Sequence, residues 1–98
     1  MSNKRYHHYV VAYDVPDDRR RRRIARALEG HGERVQYSVF ECRLTGKQFQ
    51  ALWKELKGLA ELKEDSLRAY RLCPPCARWV KTLGQAVRVE EVPQVFIA

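Results

Sequence analysis

Hydrophobic and polar positions divide this chain into a few clear segments. Residues 6–15 alternate with a period of two. His8, Val10, Ala12 and Asp14 share one face, and Tyr9, Val11, Tyr13 and Val15 share the other. Both faces are largely apolar, which predicts a central strand covered on two sides. Asp14 breaks the run where the strand meets the next loop. Residues 17–29 then follow helical spacing, with an apolar stripe of Ile24, Ala25 and Leu28. Either Asp17 caps this helix or Pro16 occupies its first turn, and Gly30 or Gly32 ends it. Residues 33–44 hold no Gly or Pro. They read as one long strand, or as two short strands folded near residues 36–38. Gln36, Ser38, Phe40, Cys42 and Leu44 share one face of this region; Val35, Tyr37, Val39 and Glu41 share the other.

Thr45 opens the clearest helix. Thr45 and Gln48 have capping-box spacing, and Phe49, Leu52, Trp53, Leu56, Leu59 and Ala60 recur at three- and four-residue steps. That stripe is core. Residues 66–73 form another β region, closed by Pro74 and Pro75. A short helix is expected over 77–83, and short β segments over 86–89 and 94–97. The order β-α-β-β-α-β with an extra C-terminal strand predicts an α+β, ferredoxin-like fold. Its helices cover one face of the sheet. In a small basic chain, the cover for the other face is a second copy.

At 98 residues the chain is expected to be one domain, 1–98, with a thin core. Hydrophobic content of 45% excludes a disordered chain. A net charge of +7 and a pI near 9.7 point to a polyanion, with nucleic acid ahead of an anionic membrane surface. No stretch reaches the length of a membrane span and no apolar signal opens the chain, so a cytoplasmic protein with no membrane partner is expected. Three cysteines make no disulfide framework, in keeping with a reducing compartment.

The charge is concentrated in five consecutive arginines, 19–23. At 100° per residue, Arg19, Arg22, Arg23 and Arg26 fall together opposite the apolar stripe, and Arg20 flanks them. Arg21 lies in line with the core stripe, its stem packed and its head at the edge. Like charges crowded on one helix face oppose the helix unless an anion occupies that face. Arginine binds phosphate in a bidentate fork, so the face reads as a track for nucleic-acid backbone, without base-specific contacts. Asp14 is either a solvated acid at a strand end or a metal ligand aimed at phosphate. Asp17 and Asp18 read as helix-capping acids. Cys73-Pro74-Pro75-Cys76 reads as two small buried or loop thiols rather than a zinc or redox site. His7 and His8 point to opposite faces and are assigned no chemistry. No serine or cysteine nucleophile with a paired histidine is legible.

The chain resembles the small CRISPR-associated proteins of spacer acquisition, the second of the two core acquisition proteins of this antiviral defence. The likeness rests on Tyr13-Asp14-Val15 closing the first strand, the basic helix after it, and the stretch Gly32-Glu33-Arg34-Val35-Gln36-Tyr37-Ser38-Val39-Phe40-Glu41. It implies a symmetric homodimer in which a tail strand, about residues 93–98, joins the partner's sheet. It implies that Asp14 is the catalytic ligand of a divalent metal, Mg²⁺ or Mn²⁺, with its two copies facing each other near the twofold axis. Tyr13, Arg21, Arg23, Arg34, Ser38 and Phe40 match positions near that site. The implied activity is metal-dependent endonuclease cleavage of RNA or DNA, by a dimer that binds duplex DNA with an integrase partner; single-stranded RNA is a second substrate class. The alternative is a non-catalytic scaffold bridging integrase dimers on DNA. A ferredoxin-like RNA-binding module is more distant; it would present Tyr6, Tyr9, Tyr13 and Tyr37 on its open sheet face.

Overall fold

A computed structural model describes residues 5–84. The elements run β1 (Tyr6–Asp14), α1 (Asp18–Glu29), β2 (Gly32–Gln36), β3 (Val39–Thr45), α2 (Gly46–Leu59), β4 (Ser66–Leu72) and α3 (Pro74–Ala77). Four antiparallel strands stand in the order β2-β3-β1-β4, so β1 is internal and pairs along both edges. This is the expected α+β, ferredoxin-like arrangement. Residues 33–44 form two strands, with the turn at Tyr37 and Ser38.

The core lies between one face of the sheet and the two long helices. Tyr9, Val11 and Tyr13 from β1, and Phe40, Cys42 and Leu44 from β3, pack against Ile24, Ala25 and Leu28 of α1 and Leu52 and Leu56 of α2. Each fully buried aliphatic or aromatic side chain contributes about 1.5–3 kcal/mol of transfer free energy. The Tyr9 ring stacks on Phe49 with centroids 4.1 Å apart, and Phe49 packs on Trp53. Both helices start as their sequences direct. The Asp17 carboxylate accepts from the Arg20 N–H at 2.8 Å, and Thr45 and Gln48 close a reciprocal capping box.

The burial of Tyr9 and Tyr13 removes them from the opposite, open face. That overturns the aromatic-platform form of the RNA-module reading: the period-two pleat turns both rings toward the helices. The open face instead carries His8, Val10, Ala12 and Asp14, flanked by Val39, Glu41 and Arg43 on β3 and by Ser66, Arg68, Tyr70 and Leu72 on β4. His8 and Glu41 pair there at 2.9 Å.

Two local expectations change. The helix expected over 77–83 forms earlier and shorter, as α3. Pro74 and Pro75 occupy its first turn, where a missing N–H costs nothing, and Cys73 caps it. Cys73 and Cys76 are exposed and bonded to each other, not free thiols. With Cα atoms 5.0 Å apart, one helical turn brings the two sulfurs into reach. The β segments expected over 86–89 and 94–97, and the tail strand over 93–98, lie outside the described residues.

Two close fits hold the sheet and helices in register. Gly32 faces Cys42 across the β2–β3 ladder. A Cβ there would stand 2.4 Å from the Glu41 carbonyl oxygen and 2.6 Å from the Cys42 sulfur. The second fit is an ionic clamp. Arg20 leaves α1 to grip the loop before β4, its Nε and a terminal nitrogen binding the two Asp65 oxygens at 2.8 and 2.9 Å, and a terminal nitrogen also binding Glu64 at 2.9 Å. The Asp65 side chain is fully covered and also accepts from the Glu61 N–H. These hydrogen bonds, Arg20 first, hold the Asp65 carboxyl below the usual carboxylate range.

Gly32→Ala is expected to lose about 1–3 kcal/mol by overpacking. Gly58→Ala, on an exposed turn of α2 with open space around it, is expected to gain up to about 1 kcal/mol. Urea unfolding of the two variants checks the contrast, and equal effects would refute the β2–β3 fit. The clamp has a pH signature. A depressed folded-state pKa stabilises the fold above the unfolded value of about 4, and that contribution disappears as pH falls through the folded value. The wild-type Tm therefore drops as pH falls below about 4. Asp65→Asn starts from a lower Tm at neutral pH and drops less on the same acidification. An unchanged acid slope in that variant would place the sensitive contact elsewhere.

Candidate functional site

The site is built where β1 ends. Adjacent residues of a strand face opposite ways. Tyr13 therefore turns its ring under the helices, while Asp14 leaves its carboxylate exposed on the open face, beside Ser66 of β4. Buried Val15 and then Pro16 follow, so the chain leaves the sheet at once and α1 starts within four residues of Asp14. This holds a free acid close to the root of the arginine helix.

Tyr13 connects that acid to the β2–β3 turn. Its N–H donates to the Ser38 carbonyl at 3.0 Å, and its hydroxyl donates to the Tyr37 carbonyl at 3.4 Å. Arg34 donates to the same Tyr37 carbonyl at 2.8 Å. The Arg34 guanidinium also lies over the Phe40 ring, 5.2 Å from its centre, and pairs with Glu29 at 3.5 Å. Arg21 reaches in from α1. It donates to the Val15 carbonyl at 3.0 Å, pairs with Asp18, and sits 5.9 Å from the centre of the Tyr37 ring. The pairing with Asp18 raises the Arg21 pKa further. Burial raises the Tyr13 phenol, with Arg34 opposing, so the hydroxyl stays protonated and keeps donating at neutral pH.

Of the residues singled out from sequence, Tyr13, Arg21, Arg34, Ser38 and Phe40 come together in this cluster. Asp14 adjoins it through the backbone of Tyr13. Arg23 stands apart, on the exposed face of α1 with Arg19, Arg22 and Arg26. Among the described residues none of these four forms an ion pair, whereas Arg20 is consumed by its clamp to Asp65 and Glu64. Five adjacent arginines thus divide three ways: a structural clamp, a brace for the site, and an unpaired basic face that Arg26 completes. Sequence reasoning missed Tyr37 as a member of the cluster and the pairing of Arg20. The first had a signal, an aromatic residue at a turn. The second had none, since its partners are 44 and 45 positions away.

Among the described residues no group of three or more His, Cys, Asp or Glu side chains could enclose a metal ion. Asp14 offers one exposed carboxylate per copy. Such a hard oxygen donor suits Mg²⁺ or Mn²⁺, which bind through one or two carboxylates and take further oxygens from water and phosphate. It does not suit zinc, and the bonded Cys73 and Cys76 supply no thiolate.

A family model described as CRISPR associated protein Cas2 matches residues 7–80. The CRISPR-associated endoribonuclease Cas2 3 of Synechocystis sp. is 58% identical over 64 residues, which cover 65% of this chain and 70% of that protein. The crystal structure of the hypothetical protein TT1823 from Thermus thermophilus superposes with a TM-score of 0.77 at 40% identity, covering 85% of this chain and 96% of that one. A chain of a partial Cas6-RT-Cas1–Cas2 complex superposes with a TM-score of 0.69 at 28% identity, covering 79% of this chain and 90% of its own length.

Proposed function

This chain belongs to the CRISPR associated protein Cas2 family, and from that membership we propose that it is a nuclease of CRISPR spacer acquisition, working as a homodimer in the cytoplasm. Its reaction is metal-dependent hydrolysis of a phosphodiester in RNA or DNA, and its platform is duplex DNA held with an integrase partner. One observation carries the reading: an exposed strand-end acid, Asp14, stands four residues before a helix whose Arg19, Arg22, Arg23 and Arg26 are exposed and form no ion pair among the described residues. The name of the Synechocystis relative, an endoribonuclease, supports cleavage. The neighbour in a Cas1–Cas2 complex supports the integrase partner.

Each residue has a definite task. Two copies of Asp14, brought together by the dimer, hold Mg²⁺ or Mn²⁺. When bound, the ion supplies Lewis-acid stabilisation of the charge that develops on phosphate. Arg21 and Arg34 hold positive charge beside that point with little freedom to move, which is what electrostatic preorganisation requires. Tyr13 fixes the spacing between Asp14 and the turn. Arg19, Arg22, Arg23 and Arg26 track the backbone of the nucleic acid. The half-buried apolar positions Val10, Ala12 and Val39 support a second copy on the open face, and the edge of β4, unpaired among the described residues, offers a place for the partner's tail strand, residues 93–98.

The scaffold reading stands beside this one on a specific observation. One carboxylate per copy is a sparse donor set for catalysis, while four arginines without ion pairs are ample for holding DNA.

Asp14→Asn separates the two. It keeps the shape and removes the charge, so dimer mass and metal-free DNA affinity are retained while Mg²⁺-dependent cleavage falls by orders of magnitude. Full cleavage by the variant would assign the activity to another site. Wild type that binds DNA and cleaves nothing with either metal would leave the scaffold. Replacing Arg19, Arg22, Arg23 and Arg26 by Gln weakens binding for all sequences alike, and lowers the salt slope by up to about 0.9 per lost phosphate contact. An unchanged slope, measured by titration at several salt concentrations, would place the DNA on another surface.

A further inference from the structure

Tyr37 is 70% exposed at the tip of the β2–β3 turn. Turns of this kind favour Gly, Asn, Asp or Ser, and they do not need an aromatic ring. A large apolar ring left in water adds nothing to the fold. Yet its backbone is held firmly. The Tyr37 carbonyl accepts from both Tyr13 and Arg34, and the next carbonyl, of Ser38, accepts from the Tyr13 N–H. Among the described residues the ring is met by Arg21, whose guanidinium is anchored in turn to Val15 and Asp18. The result is an aromatic surface with a fixed root and an open face, one residue from the strand pairing that presents Asp14. The other exposed aromatics lack this setting. Tyr70 is tied through its hydroxyl to Arg68 on the open face of the sheet, and Trp79 lies beyond α3.

We propose that the Tyr37 ring is a stacking platform for one unpaired nucleobase, so that the site accepts single-stranded nucleic acid beside Asp14 while the α1 arginines bind the backbone. The inference rests on the nucleic-acid reading above and adds the residue that holds an unpaired base. A base stacked on an aromatic side chain is held without regard to its identity, since every base has a π face. The neighbouring Arg21 guanidinium supplies a flat cation for the adjoining phosphate.

The test uses the full chain, with fluorescence anisotropy on a twelve-nucleotide single strand, made both as RNA and as DNA, and on the corresponding duplex. Tyr37→Leu keeps bulk and removes the ring. It is expected to weaken single-strand binding by roughly 5- to 150-fold, the size of one lost stacking contact, in RNA and DNA alike, and to leave duplex affinity within about twofold. Tyr37→Phe keeps the ring, drops the hydroxyl and retains the affinity. Unchanged single-strand binding in the Leu variant overturns the proposal. So does an equal loss on strand and duplex, which marks a structural role for the ring. A loss accompanied by a changed sedimentation mass overturns it too, because the ring then touches protein. Wild type that binds neither strand nor duplex sinks the nucleic-acid reading itself, whereas normal duplex binding with an indifferent Tyr37 sinks the platform alone.

Discussion

The pleat of one strand governs this molecule. β1 is hydrogen-bonded along both edges, so its residues cannot rotate, and alternate side chains are committed to opposite faces. Tyr9, Val11 and Tyr13 go under the helices and anchor the core. His8, Val10, Ala12 and Asp14 go to the open side. A slip of one residue would bury Asp14 without a partner and expose two tyrosines, a loss far beyond the few kcal/mol that separate folded from unfolded states. The acid is thus fixed at the surface by the apolar residues on either side of it.

The second organising constraint is charge. Five adjacent arginines cannot all repel one another on one turn of helix without compensation. The fold disperses them. Arg20 is paired with a covered carboxylate, Arg21 is anchored by Asp18 and a backbone carbonyl, and the remaining cations are spread around the exposed side of α1. What is left uncompensated lies on the exposed side of a helix that starts four residues after Asp14. The same helix therefore holds the loop before β4 in place, braces the turn, and displays positive charge where a phosphate backbone would bring its own negative charge.

The turn between β2 and β3 links these two constraints. At the other end of this hairpin Gly32 lets β2 approach Cys42 closely, and the buried thiol there, pushed up to about 12 by loss of solvent, behaves as a small apolar group. The tip of the turn is held by donors from β1 and from β2 itself. Strand register, turn geometry and the orientation of the arginine cluster are in this way one cooperative unit.

The sequence by itself determined most of the architecture. Period-two alternation over residues 6–15, the arginine helix with its Ile24-Ala25-Leu28 stripe, and the Thr45–Gln48 capping box are local signals, and local signals are carried by spacing alone. The tight β2–β3 turn was legible only as one of two options, since residues 33–44 contain neither Gly nor Pro to mark it. The short helix at Pro74 was displaced, because proline at a first turn and proline as a breaker look alike until the cap at Cys73 is seen. Asp14 could be nominated from its place at the end of an apolar run. Only the tertiary structure decided which arginine becomes a clamp, which braces the site and which stay free, and that Tyr37 stands exposed beside them. The clamp joins residues 45 positions apart, Tyr13 meets the turn 24 positions on, and the brace sets Arg21 against the ring of Tyr37 on another element. No periodicity encodes such contacts, because they form only after the sheet and helices have packed.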